Sequence, residues 1–302
     1  MNKTGLMISA AAFALAASAT GTGAAAQELY GTLKKIKDSG TISLGHRESS
    51  IPFSYYDNQQ KVVGYSHEIA MKVVDAIKKE QKLPNLQVKL TPVTSQNRIP
   101  LIQNGTIDLE CGSTTNNLER QKQVSFSNSL FIVSTRLLTK KNSGIKDFPD
   151  LAGKNVVTTA GTTSERLLRK LNEDKKMGMN IISAKDHGES FLTLESGRAV
   201  AFMMDDALLA GEMAKARKQS DWHIVGTPQS REAYGCMMRK DDAEFKKVVD
   251  ATIAQVMKSG EAEKLYKKWF MSPIPPKNLN LNLPLSDEIK QLYKNPNDKA
   301  LE

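Results

Sequence analysis

The chain has 302 residues, 40% of them hydrophobic, with a formal net charge of +9 and two cysteines. That length holds two domains of ordinary size after any leader, and a positive field of this size favours acidic small molecules. Nucleic acid is a poor partner, because the lysines come as scattered pairs (Lys34-Lys35, Lys78-Lys79, Lys246-Lys247, Lys267-Lys268) with no aromatic interleaving, the pattern of solvated helix faces.

Residues 1–26 read as a signal peptide: Lys3 is the positive start, Leu6 to Ala19 the apolar stretch, and Ala24-Ala25-Ala26 the small residues before the cut. Ser18, Thr20, Gly21, Thr22 and Gly23 break the run below the roughly 20 apolar residues a membrane span needs. No cysteine stands near the cleavage site for a lipid anchor, so the expected destination is the periplasm. Loss of Lys3 leaves the mature chain at +8.

Beyond the leader, strands and helices alternate. Leu29, Leu33 and Ile36 predict a helix over 29–37, followed by a strand at 41–45 and a helix over 65–79 with Ile69, Val73, Val74 and Ile77 on one face. A strand at 88–91, a short helix after Ser95 and a strand at 107–111 follow, the last two joined by an Asn104-Gly105 turn. A strand at 136–139 exits through the polar run 140–144 into a second series. Its strands are 155–159, 181–184, 199–204 and 223–225; its helices are 163–172, 187–196 and 208–215. Residues 234–239 read as strand again, 244–258 as an amphipathic helix, and the Pro- and Asn-rich stretch 272–284 as an extended surface tail.

Alternation of this kind means α/β architecture with helices on both faces of mainly parallel sheets. Cys111 and Cys236, 125 residues apart, match no metal or redox spacing. An oxidising compartment favours a disulfide between them over two buried thiols. Such a bond would return the last strand to the first sheet, giving lobe 1 from 27–139 and 229–302, lobe 2 from 140–228, and two hinge strands beside a cleft. Ligands of such sheets sit at the carboxyl ends of the strands.

Those ends carry the chemistry. After the strand at 107–111 come Ser113, Thr115 and Arg120, hydroxyls two apart and a guanidinium able to offer parallel donors to a carboxylate. Alone, the segment would pass for a strand and a capped helix. Gly161, Thr162, Thr163 and Ser164 open a helix whose free N–H groups favour anions, or form an ordinary cap. Asp205 or Asp206 could hold an ammonium, or cap the helix that follows. Arg47 and Arg98 add surplus positive charge suited to a second carboxylate; the plainer alternatives are an Arg47–Glu48 surface pair and a solvated Arg98.

Six segments together, Gly45 to Tyr55, Thr94 to Pro100, Glu110 to Arg120 with Phe126-Ser127, Thr159 to Glu165, Ser183 to Gly188 and Phe202 to Asp206, resemble the amino-acid-binding family of periplasmic solute-binding proteins of ABC importers. The resemblance spans essentially the whole mature chain and implies the two-lobed periplasmic-binding-protein fold, with L-glutamate or L-aspartate as ligand. It implies an α-carboxylate grip at Ser113, Thr115 and Arg120 with help from Thr163, and an ammonium partner at Asp205. It implies a side-chain carboxylate pocket at Arg47, Ser95 and Arg98 with His187 from the second lobe. His46 is read as structural. A monomer that hands its ligand to inner-membrane permease subunits is implied, with no cofactor and no metal.

The same fold also hosts enzymes, including dehydratases acting on small carboxylates. Glu48, Glu110 and His187 are the evident acid or base candidates, and none has a recognisable partner in the sequence. Ser143-Gly-Ile-Lys146 fits a Ser-x-x-Lys pattern but lies in a polar loop.

Overall fold

The computed structural model describes Met1 and residues 31–301; the expected leader, Met1 apart, lies outside them. Two separate sheets carry the fold. In the first, Thr41–His46 lies between Gln87–Pro92 and Leu109–Glu110, parallel to both. Glu232–Arg239 then runs antiparallel to Leu109–Glu110, and pairs with Thr115–Asn116 and with the long strand Val124–Val133. The helices Tyr65–Glu80 and Ala243–Lys258 pack together, burying Ile69, Val73, Val74 and Ile77 on one and Phe245, Val249 and Ile253 on the other. Both had been legible as apolar stripes at helical spacing.

In the second sheet, Asn155–Thr159 lies between Asn180–Ala184 and Ala201–Asp205, all parallel, and Thr135–Lys140 and Trp222–Val225 complete it antiparallel. The helices Thr163–Asp174, His187–Glu195 and Asp206–Ala214 start where these strands end. Each of the first two begins with a side-chain cap, Thr162 taking the Glu165 N–H and Asp186 the Glu189 N–H. Strand ends and helix starts therefore face the other lobe together.

The strand expected at the end of lobe 1, 136–139, belongs instead to the second sheet: Thr135 to Thr139 pair residue by residue with Asp205 to Ala201. The change of sheet takes a single residue, Ser134, between Val133 and Thr135, and no Gly or Pro marks it. The second crossing runs between Val225 and Glu232. The strand expected over 107–111 pairs only at Leu109–Glu110. Asp108 remains tied to the sheet, its N–H donating to the Ser43 carbonyl and its carboxylate accepting from the Ser43 N–H.

Cys111 and Cys236 form a disulfide that fixes the returning strand beside Leu109–Glu110. Three further pieces stand outside the elements expected from the sequence: the small sheet of Ser49–Ser50, Ser54–Tyr56 and Val62–Val63, the strand Val124–Val133, and the helix Glu261–Phe270. They meet in an aromatic cluster, where Phe53 sits edge-on to Phe131, Tyr234 and Phe270 at centroid distances of 5.0, 5.1 and 5.6 Å. That packing holds the loop bearing Arg47 against the first lobe. The tail is less extended than expected: Pro273–Ile274 and Leu279–Asn280 pair as two short strands, and the helix Asp287–Lys294 follows.

Candidate functional site

The loops at the strand ends of the two sheets meet, and the polar residues singled out in the sequence are nearly all buried there. Arg47 and Arg98 are each 1% exposed, although guanidinium groups are seldom buried without partners. Arg98 Nη1 donates to the Ser113 carbonyl at 3.3 Å and to the Thr114 hydroxyl, which in turn donates to Glu110 at 2.6 Å. Glu110 is thus a buried counter-charge under the two arginines. Burial pulls Arg47 down to about 10, and Arg98 beside it pulls the same way, while Glu110 works against both. Burial also lowers Arg98, again opposed by Glu110. Two buried guanidiniums thus lie side by side, with Glu110 acting on both, Asp186 on Arg47 and Asp205 on Arg98.

The unpaired atoms mark where the guanidinium charge points. Among the described residues, Arg47 Nη1 and Nη2, Arg98 Nε, Ser95 Oγ and His187 Nε2 are buried side-chain atoms with no hydrogen-bond partner. The guanidinium nitrogens among them can only donate, while Glu110 Oε1, also unmatched, can only accept as a carboxylate; leaving buried polar groups unmatched is costly, so the cluster is a site prepared for a polar ligand. His187 comes from the second lobe, its Nδ1 2.9 Å from the Thr159 hydroxyl. Burial first, then Arg47 and Arg98, hold its imidazole well below its usual range, so it is neutral at pH 7. The two plainer alternatives for the arginines therefore do not describe them: both are buried and face the second lobe's histidine closely enough to perturb it.

At the other end, Arg120 lies in the short helix Leu118–Gln121, whose start is capped by Asn117. Its Nη1 donates to the Thr115 carbonyl at 2.9 Å and its Nη2 crosses to the Gly161 carbonyl at 3.3 Å. Burial, with Arg98 and Arg166 adding, brings it down to about 9. Ser113 and Thr115 do not point the same way as an extended chain would require. Ser113 Oγ donates to Ser50 at 3.2 Å, whereas Thr115 Oγ1 donates to Glu232 at 2.6 Å. The chain is irregular from Cys111 to Thr114 and pairs only from Thr115, which breaks the period of two.

Asp205 stands at the cap position of the helix Asp206–Ala214, but its side chain makes no cap bond. Its carboxylate accepts from Tyr234, from Thr135 at 3.2 Å and from Ser164 at 3.3 Å. Burial pushes it up to about 7, with Glu232 adding and the Tyr234 hydroxyl opposing. Asp206 is the structural one of the pair, accepting from the Ala207 and Ser134 N–H groups. Thr162 and Gly161 serve the helix start, Thr162 as its cap and Gly161 N–H donating to Glu165 at 2.8 Å. Thr163, half-buried, is the first residue of that helix and donates to Glu232 at 2.7 Å. His46 is structural, its Nδ1 against the Arg47 carbonyl and its Nε2 near Tyr56.

Sequence reading missed Glu232, Tyr234, Thr135 and Thr114 as part of this network. For Glu232 a signal existed: a carboxylate opens a strand whose next six residues are all buried, so it needs partners.

Residues 42–272 match the model of the bacterial extracellular solute-binding proteins, family 3. The glutamate/aspartate import solute-binding protein of Salmonella typhimurium is 72% identical over 270 residues, 89% of each chain. Its namesake in Escherichia coli is 67% identical over 290 residues, 96% of each chain. The L-glutamate/L-aspartate-binding protein of Pseudomonas aeruginosa is 68% identical over 278 residues, 92% of each. Among solved structures, the solute receptor for L-cysteine of Neisseria gonorrhoeae superposes with a TM-score of 0.70 at 25% identity, covering 83% of this chain and 97% of that one. An ancestral amino acid-binding protein described as a precursor of cyclohexadienyl dehydratase gives 0.68 at 29% identity, covering 79% of this chain and 99% of that one.

Proposed function

Because this chain belongs to the bacterial extracellular solute-binding proteins, family 3, we propose that it is the periplasmic substrate-binding component of an ABC importer, taking up L-glutamate and L-aspartate and delivering them, as a monomer, to permease subunits. The close relatives carry glutamate/aspartate names and are binding proteins, which favours carriage over dehydratase-like chemistry. The observation that carries the ligand class is the buried cluster of unmatched polar atoms at Arg47, Arg98, Ser95 and His187, in which two buried guanidiniums lie side by side. A side-chain carboxylate offers about four acceptor positions to these groups, whereas an amide brings no charge and directs hydrogens at guanidinium groups that cannot accept.

In this reading Arg120 receives the α-carboxylate together with main-chain groups around Ser113 and Thr115, and Asp205 receives the ammonium. Lobe 1 supplies Arg47, Ser95, Arg98, Ser113, Thr115 and Arg120; lobe 2 supplies Thr163, His187 and Asp205. Contacts drawn from both lobes favour the closed arrangement over the open one, and that difference in affinity shifts the population. The closed form is what the permease would recognise.

Calorimetry of the mature protein, stripped of ligand by unfolding and refolding, tests this against L-glutamate, L-aspartate, L-glutamine and L-asparagine. Tight 1:1 binding of the acids with weak amide binding is expected; no binding to any of the four discards the assignment.

A pH series adds a second expectation. Because Asp205 is pushed up to about 7, an arriving ammonium must displace a proton below that pH. Affinity should be full above about pH 8 and fall by up to about tenfold per unit below 7, with proton release seen as buffer-dependent binding heat near pH 7. Folding runs with the opposite sign. The unfolded carboxyl titrates near 4, so between about 4 and 7 the ligand-free fold holds an extra proton, and its stability falls as pH rises. A pH-independent affinity would remove Asp205 from the ammonium site.

A further inference from the structure

Glu232 opens the strand that returns from the second crossing to lobe 1, and it is 6% exposed. One of its oxygens, Oε2, accepts from two hydroxyls that belong to opposite lobes: Thr115 at 2.6 Å and Thr163 at 2.7 Å. Those hydroxyls lie 3.5 Å from each other. Its other oxygen accepts from Ser230 at 2.9 Å and lies 3.5 Å from the Thr135 hydroxyl, which also approaches Asp205 at 3.2 Å. The two carboxylates, Glu232 and Asp205, therefore flank the same threonine.

A threonine hydroxyl has one proton and two lone pairs. Once Thr115 and Thr163 have given their protons to Glu232, only lone pairs remain for a ligand. Lone pairs suit an ammonium, which brings three protons and no acceptor, and repel a carboxylate, which brings acceptors alone. This changes the expectation that the two hydroxyls help to grip the α-carboxylate. The guanidinium of Arg120 is left for that task.

We propose that Glu232 is a positioning residue for ligand selection: by taking the protons of Thr115 and Thr163 it fixes both hydroxyls as acceptors, and so favours an amino diacid over diacids of the same length that lack an ammonium. Glutarate and 2-oxoglutarate are the discriminated class. Glu232 acts through the two threonines and Asp205, and its role rests on the functional reading of an acidic amino acid in this cleft.

The test is calorimetry of the mature protein and of Glu232→Gln and Thr163→Val with L-glutamate, glutarate and 2-oxoglutarate, each variant checked for folding by a thermal melt. A glutamine in place of Glu232 can turn its amide hydrogens to the threonines and let their protons face the cleft. The ratio of L-glutamate affinity to glutarate affinity should fall by about tenfold or more in Glu232→Gln, largely because glutarate binds better. Thr163→Val, which deletes one acceptor, should lower the same ratio by weakening L-glutamate, and it carries the test if Glu232→Gln does not fold. Were the hydroxyls donors to the α-carboxylate, both diacids would shift in parallel. An unchanged ratio in either folded variant overturns the role of Glu232 while leaving the functional reading intact. Wild-type protein that ignores L-glutamate overturns both.

Discussion

Arg120→Ala is expected to weaken L-glutamate binding by about thirtyfold to several thousandfold, the equivalent of about 2–5 kcal/mol for removing one partner of a buried charge pair. Arg120 is 5% exposed and is already bonded to the carbonyls of Thr115 and Gly161, which lie in different lobes. Two of its five N–H groups are thereby used to hold its plane, and the rest of the fork is pre-set for a carboxylate. Its positive charge is held at a cost, since burial and the neighbouring Arg98 and Arg166 bring it down to about 9. A ligand α-carboxylate relieves that cost; alanine leaves the carboxylate buried without its ion and also removes the bond across the cleft. Arg120→Lys should fall between, because it keeps the charge and loses the fork. Calorimetry checks the size of the loss and a thermal melt of the ligand-free variant separates it from misfolding. Near-normal affinity would place the α-carboxylate elsewhere.

Much of this site could be read in the chain before any geometry, for a physical reason. Arg47, Arg98, Ser113, Thr115, Arg120, Thr163 and Asp205 all lie at or just beyond the ends of strands, several with plain patterns such as Thr41–His46 and Asn155–Thr159. Position relative to an element is a local property and survives in sequence. Which donor faces which acceptor is not local. Glu232 is separated by 117 residues from Thr115 and by 69 from Thr163, so its bonds to both emerge only when the two lobes are brought together. The change of sheet at Ser134 was hidden for a related reason: two extended segments run on through one ordinary residue, and only their partners differ. The helix Glu261–Phe270 is a different case: Ala262, Leu265, Tyr266, Trp269 and Phe270 fall at helical spacing, so its face was open to reading, and only the rings it meets on Phe53 and Phe131 were not.

The closed arrangement also depends on a residue that touches no proposed ligand group. Gly211 lies inside the helix Asp206–Ala214 of lobe 2, and a Cβ there would sit 2.1 Å from the carbonyl oxygen of Ile51 and 2.7 Å from its carbon. Ile51 belongs to the lobe 1 loop that follows Arg47 and Ser49, and Ser49 Oγ accepts the Gly188 N–H at 3.2 Å from the same second lobe. The two nearest atoms are backbone and the third is the Ile51 Cβ at 2.9 Å, which is fixed to that backbone, so no flexible side-chain end can swing aside. Within lobe 2 itself, alanine is the better helix residue by about 1 kcal/mol. Gly211→Ala should therefore leave the ligand-free protein as stable as before or slightly more so, while the closed state must shift at a cost of about 1–3 kcal/mol, the usual penalty for overpacking. L-Glutamate affinity should drop about fivefold to a hundredfold, with every side chain of the site still present. Calorimetry gives the loss, and small-angle scattering at saturating L-glutamate should show the variant more open than the wild type. If the variant binds and closes as the wild type does, the approach of Gly211 to Ile51 is not part of the ligand-bound state, and the energy of closure must come from polar contacts between the lobes, among them those at Arg120, Thr163, Ser49 and the Arg166–Glu119 pair.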